Sequence, residues 1–130
     1  MRHVLTLAGV ILVTTIAATA AQPARVRERN ADWTAPTAAD ARKNPLADTS
    51  ELEAGGNKVF HQRCSTCHSD DARGTTRGPD LTGADVQAQS DGALFWKITS
   101  GNTRAGMPTF SFLPEAQRWQ LVMHVRRHAR

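Results

Sequence analysis

The sequence contains no tyrosine and only two cysteines, and aromatic residues make up 5% of it. A stacking surface for single-stranded nucleic acid needs aromatics interleaved with basic residues, and that pattern is missing, so no nucleic-acid partner is expected. No stretch alternates apolar and polar residues over strand length and no segment repeats, which argues against a sheet or a solenoid. A structural zinc site needs four ligands, and there is no second cysteine pair to help supply them. With 130 residues the chain has room for one ordinary domain, not for a catalytic domain beside a separate cofactor domain.

The one long apolar run lies at the start. Met1-Arg2-His3 is a short basic stretch, Val4 to Thr19 is uncharged and apolar, and Ala18-Thr19-Ala20 offers small residues in an A-x-A arrangement. Together they read as a secretory signal peptide over residues 1–20, which makes the mature protein exported and periplasmic. The alternative is an uncleaved anchor, although the run is short and its Thr and Ala residues make a weak span. Membrane association is expected only in that case. No cysteine lies near the cut, so lipid modification there is excluded. Cleavage removes Arg2 alone among 16 basic residues, against 12 acidic ones. The small positive balance fits docking of an acidic redox partner.

Residues 21–45 are rich in Ala, Arg, Asp, Asn and Pro, with Trp33 as their only large apolar side chain. They read as a flexible, solvated leader. The competing reading is a segment that wraps the domain through Trp33. The domain itself is expected over residues 46–130. Ser50 and Glu53 form an S-x-x-E capping box, followed at helical spacing by Leu52, Gly56, Val59 and Phe60. Glycine inside a helix costs about 1 kcal/mol relative to alanine, so Gly55 and Gly56 point to close approach by another helix. Ser69 to Gly83 is loop. Asp91 is placed to cap a helix through Leu94, Phe95, Trp96 and Ile98, which Gly101 ends. Pro114 suits the first turn of a last helix running through Trp119, Leu121, Val122, Met123 and Val125. The expected class is all-α, about three short helices with long loops. A domain of this size has a thin core and needs a staple.

Cys64-Ser65-Thr66-Cys67-His68 supplies one. C-x-x-C-H is the attachment signature of c-type haem. Two thiols at a helix end add to the two vinyl groups of one porphyrin, and the adjacent histidine is held under the iron. A thioredoxin-like pair would want a strand–helix setting, and a simple disulfide leaves His68 idle. The second axial ligand has five candidates: His61, His124, His128, Met107 and Met123. Met123 sits at helical spacing with Val122 and Val125 and reads as core. His61 lies on the attachment side and reads as solvent-facing, and His124 and His128 read as surface or interface residues. Met107 stands between Gly106 and Pro108 in a loop, where core packing explains it poorly. His68 and Met107 are therefore the expected metal ligands. Saturating the iron with imidazole and thioether raises its potential and leaves no place for substrate. Leu81, Leu94, Trp96, Phe110, Phe112 and Trp119 are candidate pocket walls, and Arg104 faces either a haem propionate or water.

From about Asn44 to Arg130 the chain resembles the class I mono-haem bacterial cytochromes c. Gly56 and Phe60, Gly78-Pro79-Asp80-Leu81, Gly106-Met107-Pro108 and Arg118-Trp119 through Arg127 follow in that family's order. The resemblance implies a cytochrome c fold wrapped around one covalently bound haem. It also implies that Gly56 and Phe60 pack on the closing helix, and that the Pro79 carbonyl orients His68. Two departures stand out: Ser69 where glycine is common, and His124 where Tyr or Phe is common. The implied function is a soluble electron shuttle between a donor dehydrogenase and an acceptor oxidase or reductase, and so not an enzyme. Rival readings are a haem-bearing subunit of a larger oxidase or dehydrogenase complex, an open-site haem protein, and a haem-free thiol redox protein.

Overall fold

The computed structural model describes residues 33–46 and 48–129. The expected signal peptide and the first part of the leader lie outside the described residues. The chain forms α1 (Thr37–Asp40), α2 (Ser50–Arg63), α3 (Ser65–His68), α4 (Ala84–Gln87), α5 (Asp91–Ser100), a 3-10 turn (Thr103–Ala105) and α6 (Glu115–Arg127). Among the described residues there is no strand, only an isolated antiparallel bridge between Asn102 and Met107. The three expected helices are α2, α5 and α6.

Their starts differ from the sequence reading by one residue. Thr49 caps α2, its Oγ1 accepting from the Leu52 amide, and Ser50 is already helical. A β-branched threonine loses less in an extended cap position than inside a helix. Ser90, not Asp91, caps α5 by accepting from the Ala93 amide at 3.0 Å. That leaves the Asp91 carboxylate free to pair with Arg126 Nε at 2.8 Å, tying the start of α5 to the end of α6. Pro114 stands just before α6 rather than inside its first turn.

The main packing is α2 across α6. It depends on Gly56, where a Cβ would lie 2.2 Å from the Gln120 carbonyl oxygen. Phe60, Trp119, Leu121 and Val122 are the largest fully buried side chains. Phe95 of α5 stacks on Trp119 with ring centres 4.0 Å apart. Met123 is buried in α6, as its spacing predicts.

Residues 33–45 do not behave as a solvated leader. Ser90 Oγ donates to the carbonyl oxygen of Asp40 at 2.8 Å, and Asn44 Nδ2 donates to Trp119 O at 3.3 Å. The Arg42 guanidinium lies over Phe95 and beside Trp119, and pairs with Glu115. This polar segment docks through hydrogen bonds and cation–π contacts, which leave no apolar period to read. Phe112 lies outside the buried core: it is 64% exposed, with the Arg63 guanidinium 5.9 Å from its ring.

Candidate functional site

The site grows from the end of α2. Cys64 caps that helix, its amide bonded to Phe60 O at 2.7 Å. Its own carbonyl then accepts from the amides of Cys67 and His68, at 3.0 and 2.9 Å. Residues 64–68 are thereby wound into one turn that places Cys64, Cys67 and His68 on neighbouring positions of a helical face. The loop behind closes on this turn. Thr75 Oγ1 donates to Cys67 O at 2.7 Å, and the Gly74 amide donates to His68 O at 2.8 Å. Ser69, between them, holds φ 61 and ψ 165. That region is nearly restricted to glycine, which accounts for glycine being common there in the resembled family. The Ser69 hydroxyl lies 2.6 Å from Asp71 Oδ1, and this contact helps hold the strained residue.

The folded loop carries Pro79 to His68. The imidazole is 9% exposed and its Nδ1 lies 2.9 Å from Pro79 O. A proline carbonyl only accepts, so Nδ1 carries the hydrogen and Nε2 keeps its lone pair. Burial pushes the His68 pKa down, opposed by the Pro79 bond. Burial thus favours the neutral ring, and the Pro79 bond leaves Nε2 as the nitrogen able to accept a metal. Cys64 and Cys67 are free and partly buried. Burial, with Cys67 beside it, pushes the Cys64 thiol up to about 12. A thiol held that high is not primed as a thiolate nucleophile or disulfide-exchange group.

Met107 stands on a different loop, partly buried, and borders the same apolar core as Cys64, Leu81 and Ile98. Its backbone is pinned by two bonds of the bridge, each 2.9 Å, to Asn102. Leu94 and Phe110 are buried in that core. Trp96 is only half-buried and lines a shallow cleft with Ala39, Arg42 and Arg118. Arg104 is exposed. Among the described residues no group of three or more His, Cys, Asp or Glu side chains is placed to hold a metal ion. Likewise no helix among them is long and apolar enough to cross a membrane.

The residues present fit a c-type haem. Two free thiols flank a buried neutral imidazole with an available nitrogen, and a thioether borders the same apolar core. The sequence reading did not anticipate the role of Asn102 in the bridge, and it held the docking of Trp33 only as the competing reading, without its partner Gly101. A turn-forming Asn before a 3-10 turn is a weak signal, and a lone Trp in a polar segment suggests docking without naming its partner.

Of His61, His124 and His128, only His124 departs from the surface reading. His61 is exposed and pairs with Asp70 at 2.9 Å. His124 is only 5% exposed, not a surface residue. Its ring centre is 4.8 Å from that of Phe60, and its Nε2 lies 3.2 Å from His128 Nε2. Its Nδ1 is buried without a partner. Burial, and then His128 and His61, push His124 down to about 4. The unfolded chain takes up this proton as pH falls through the ordinary histidine range, and the folded chain does not until near 4. Stability is therefore full above that range and lost as pH falls toward 4, by about 2 kcal/mol between about pH 7 and pH 5. Urea unfolding of wild type and His124→Phe across this interval checks it. The variant should lose most of the slope, and an unchanged slope would assign the acid sensitivity elsewhere.

This fold and site define a mono-haem c-type cytochrome with the expected all-α cytochrome c fold. The chain belongs to the family described as cytochrome c oxidase, cbb3-type, subunit III, which matches over residues 51–125. Among solved structures it is similar to the c-type cytochrome KustC0563, at 30% identity and a TM-score of 0.53, covering 58% of this chain and 98% of that one. No curated protein sequence matches significantly.

Proposed function

We propose that this protein carries single electrons through one haem c, bound covalently by Cys64 and Cys67, with His68 and Met107 as axial ligands. The observation that carries this reading is the His68 Nδ1–H bond to Pro79, which leaves Nε2 aimed for coordination beside two free thiols. When bound, the haem supplies an iron that accepts and returns one electron. His68 stays neutral and fixed in orientation by Pro79, which limits rearrangement as the charge changes. The Met107 thioether would serve as the iron's other protein ligand, leaving no position for substrate, so the protein would act as a carrier rather than an enzyme. Leu81, Leu94 and Phe110 exclude water from this region.

Exported and periplasmic, the protein meets a donor dehydrogenase and an acceptor oxidase or reductase. Two haem propionates would cancel most of the small excess of basic residues, so docking on acidic partners would rest on a local basic patch rather than on net charge. A second reading, a haem-bearing subunit of a larger oxidase, is favoured by the name of the matching family. Co-purification with an oxidase from native membranes would decide for it, and a stable monomer in the periplasmic fraction against it.

The test is the Met107→Ala holoprotein. It should keep covalent haem, lose the weak oxidised-state band of methionine–iron ligation, bind carbon monoxide rapidly when reduced, and fall in potential. A spectrum and potential equal to wild type would place the ligand elsewhere.

A further inference from the structure

We infer that Trp33 is a positioning residue for Met107, acting through the base of the methionine loop. This rests on the reading of Met107 as an axial ligand. The loop from Gly101 to Pro108 is closed at its neck. The Asn102 and Met107 amides each donate to the other residue's carbonyl, and Gly101 packs so closely on Pro108 that a Cβ there would lie 2.4 Å from the Pro108 oxygen. Gly101 also holds φ +65, where a side chain would be strained. The residues before and after Met107 therefore move together or not at all.

Several bonds tie this neck to α5. The Gly101 amide donates to Lys97 O at 2.9 Å, Thr109 Oγ1 to Thr99 O at 2.7 Å, and the Phe110 amide to Ile98 O at 3.3 Å. All of them come from residues within or next to the loop. Trp33 adds a tie from a distant part of the chain. Its indole Nε1 donates to the Gly101 carbonyl at 2.8 Å, and the Lys97 ammonium sits 4.7 Å from the ring centre, fixing the indole plane. The docked segment behind it, held by Asp40, Arg42 and Asn44, keeps the tryptophan in place. The indole thus clamps the carbonyl one residue before the bridge that fixes the Met107 backbone. Without that bond the neck keeps only its local ties to α5, and the backbone that carries Met107 is held less firmly.

Trp33 is half-buried and outside the main core. Trp33→Phe keeps a ring for Lys97 and removes only the N–H donor. In the holoprotein this variant should lose the methionine–iron band at a lower pH than wild type, by about one unit, as one hydrogen bond less holds the loop. The Asn102 and Met107 amides should exchange about tenfold faster, while amides in the α2–α6 core stay unchanged. Equal pH midpoints and equal exchange in the two proteins would overturn the inference alone. A wild-type protein that lacks the band would overturn the ligand reading and this inference with it. If Trp33→Phe fails to accumulate, Lys97→Met, which removes the cation from the indole face, should shift both readouts in the same direction, and unchanged readouts there overturn it.

Discussion

Replacing Cys64 and Cys67 together with alanine is expected to give a chain that carries no covalent haem and does not reach the native fold. The reason lies in how little apolar material the domain has. Its fully buried large side chains are Trp119, Phe60, Leu121 and Val122, all at the contact of α2 with α6 or directly beside it. A core in a domain this small seldom supplies more than about 3–5 kcal/mol. Residues 69–83 contribute mostly hydrogen bonds, such as those from Thr75 and Gly74 to the turn of α3, and a strained Ser69. These contacts are worth about 1 kcal/mol each and do not offset the ordering entropy of a long loop. On the proposed function, covalent attachment at Cys64 and Cys67 would fix that loop to a large apolar body, with His68 as a third point. Absorbance of the denatured double variant should show no attached haem, and circular dichroism should show a broad, low-temperature loss of helix. A haem-free variant that unfolds cooperatively at the wild-type midpoint would mean that the protein chain alone makes the fold. The single variant Cys67→Ala, keeping one bond, should fall between.

The elements that were legible in the sequence are those whose chemistry needs contiguous residues or regular spacing. The two cysteines and His68 fall within five positions, the spacing that attachment of one porphyrin requires. The apolar period of α6 and the paired glycines of α2 mark a helix crossing without any structure. Met107 was singled out because a methionine between glycine and proline has no helical neighbours to pack against. What was not legible depended on partners far along the chain or on backbone groups. Trp33 bonds a carbonyl 68 residues away, and a carbonyl leaves no mark in a sequence. The segment around Arg42 docks through a guanidinium on Phe95 and Trp119, and such a contact looks like a solvated arginine until the fold is known. The caps of α2 and α5 were displaced by one residue because adjacent candidates, Thr49 with Ser50 and Ser90 with Asp91, both satisfy the rule. His124 was read as a surface or interface residue, although the place it takes in the resembled family implies a ring packed over Gly56; the α2–α6 crossing buries it there. Phe112 stands outside the buried core, and burial of a loop aromatic depends on a turn geometry that composition does not specify.

The helix crossing itself carries the second large effect. Gly56→Val should destabilise the protein by about 3 kcal/mol or more, a large part of the total for a small domain. Its Cβ would fall 2.2 Å from the Gln120 carbonyl oxygen and 2.9 Å from the carbonyl carbon. Both are backbone atoms of α6, so no rotamer change relieves the contact, and the helices must separate by about 1 Å. Separation takes Phe60 away from His124 and the buried face of α6, and it moves the end of α2 that carries Cys64. The adjacent glycine provides the control. A Cβ on Gly55 would meet only the side-chain amide of Gln120, at 2.8 Å. That amide can swing into solvent, and alanine is the better helix former by about 1 kcal/mol. Gly55→Ala should therefore leave stability unchanged or raised. Chemical unfolding of the two holoproteins separates the cases. If both substitutions cost the same small amount, the crossing is loose enough to accommodate side chains at either position, and close packing of α2 on α6 is not what holds the attachment turn in place.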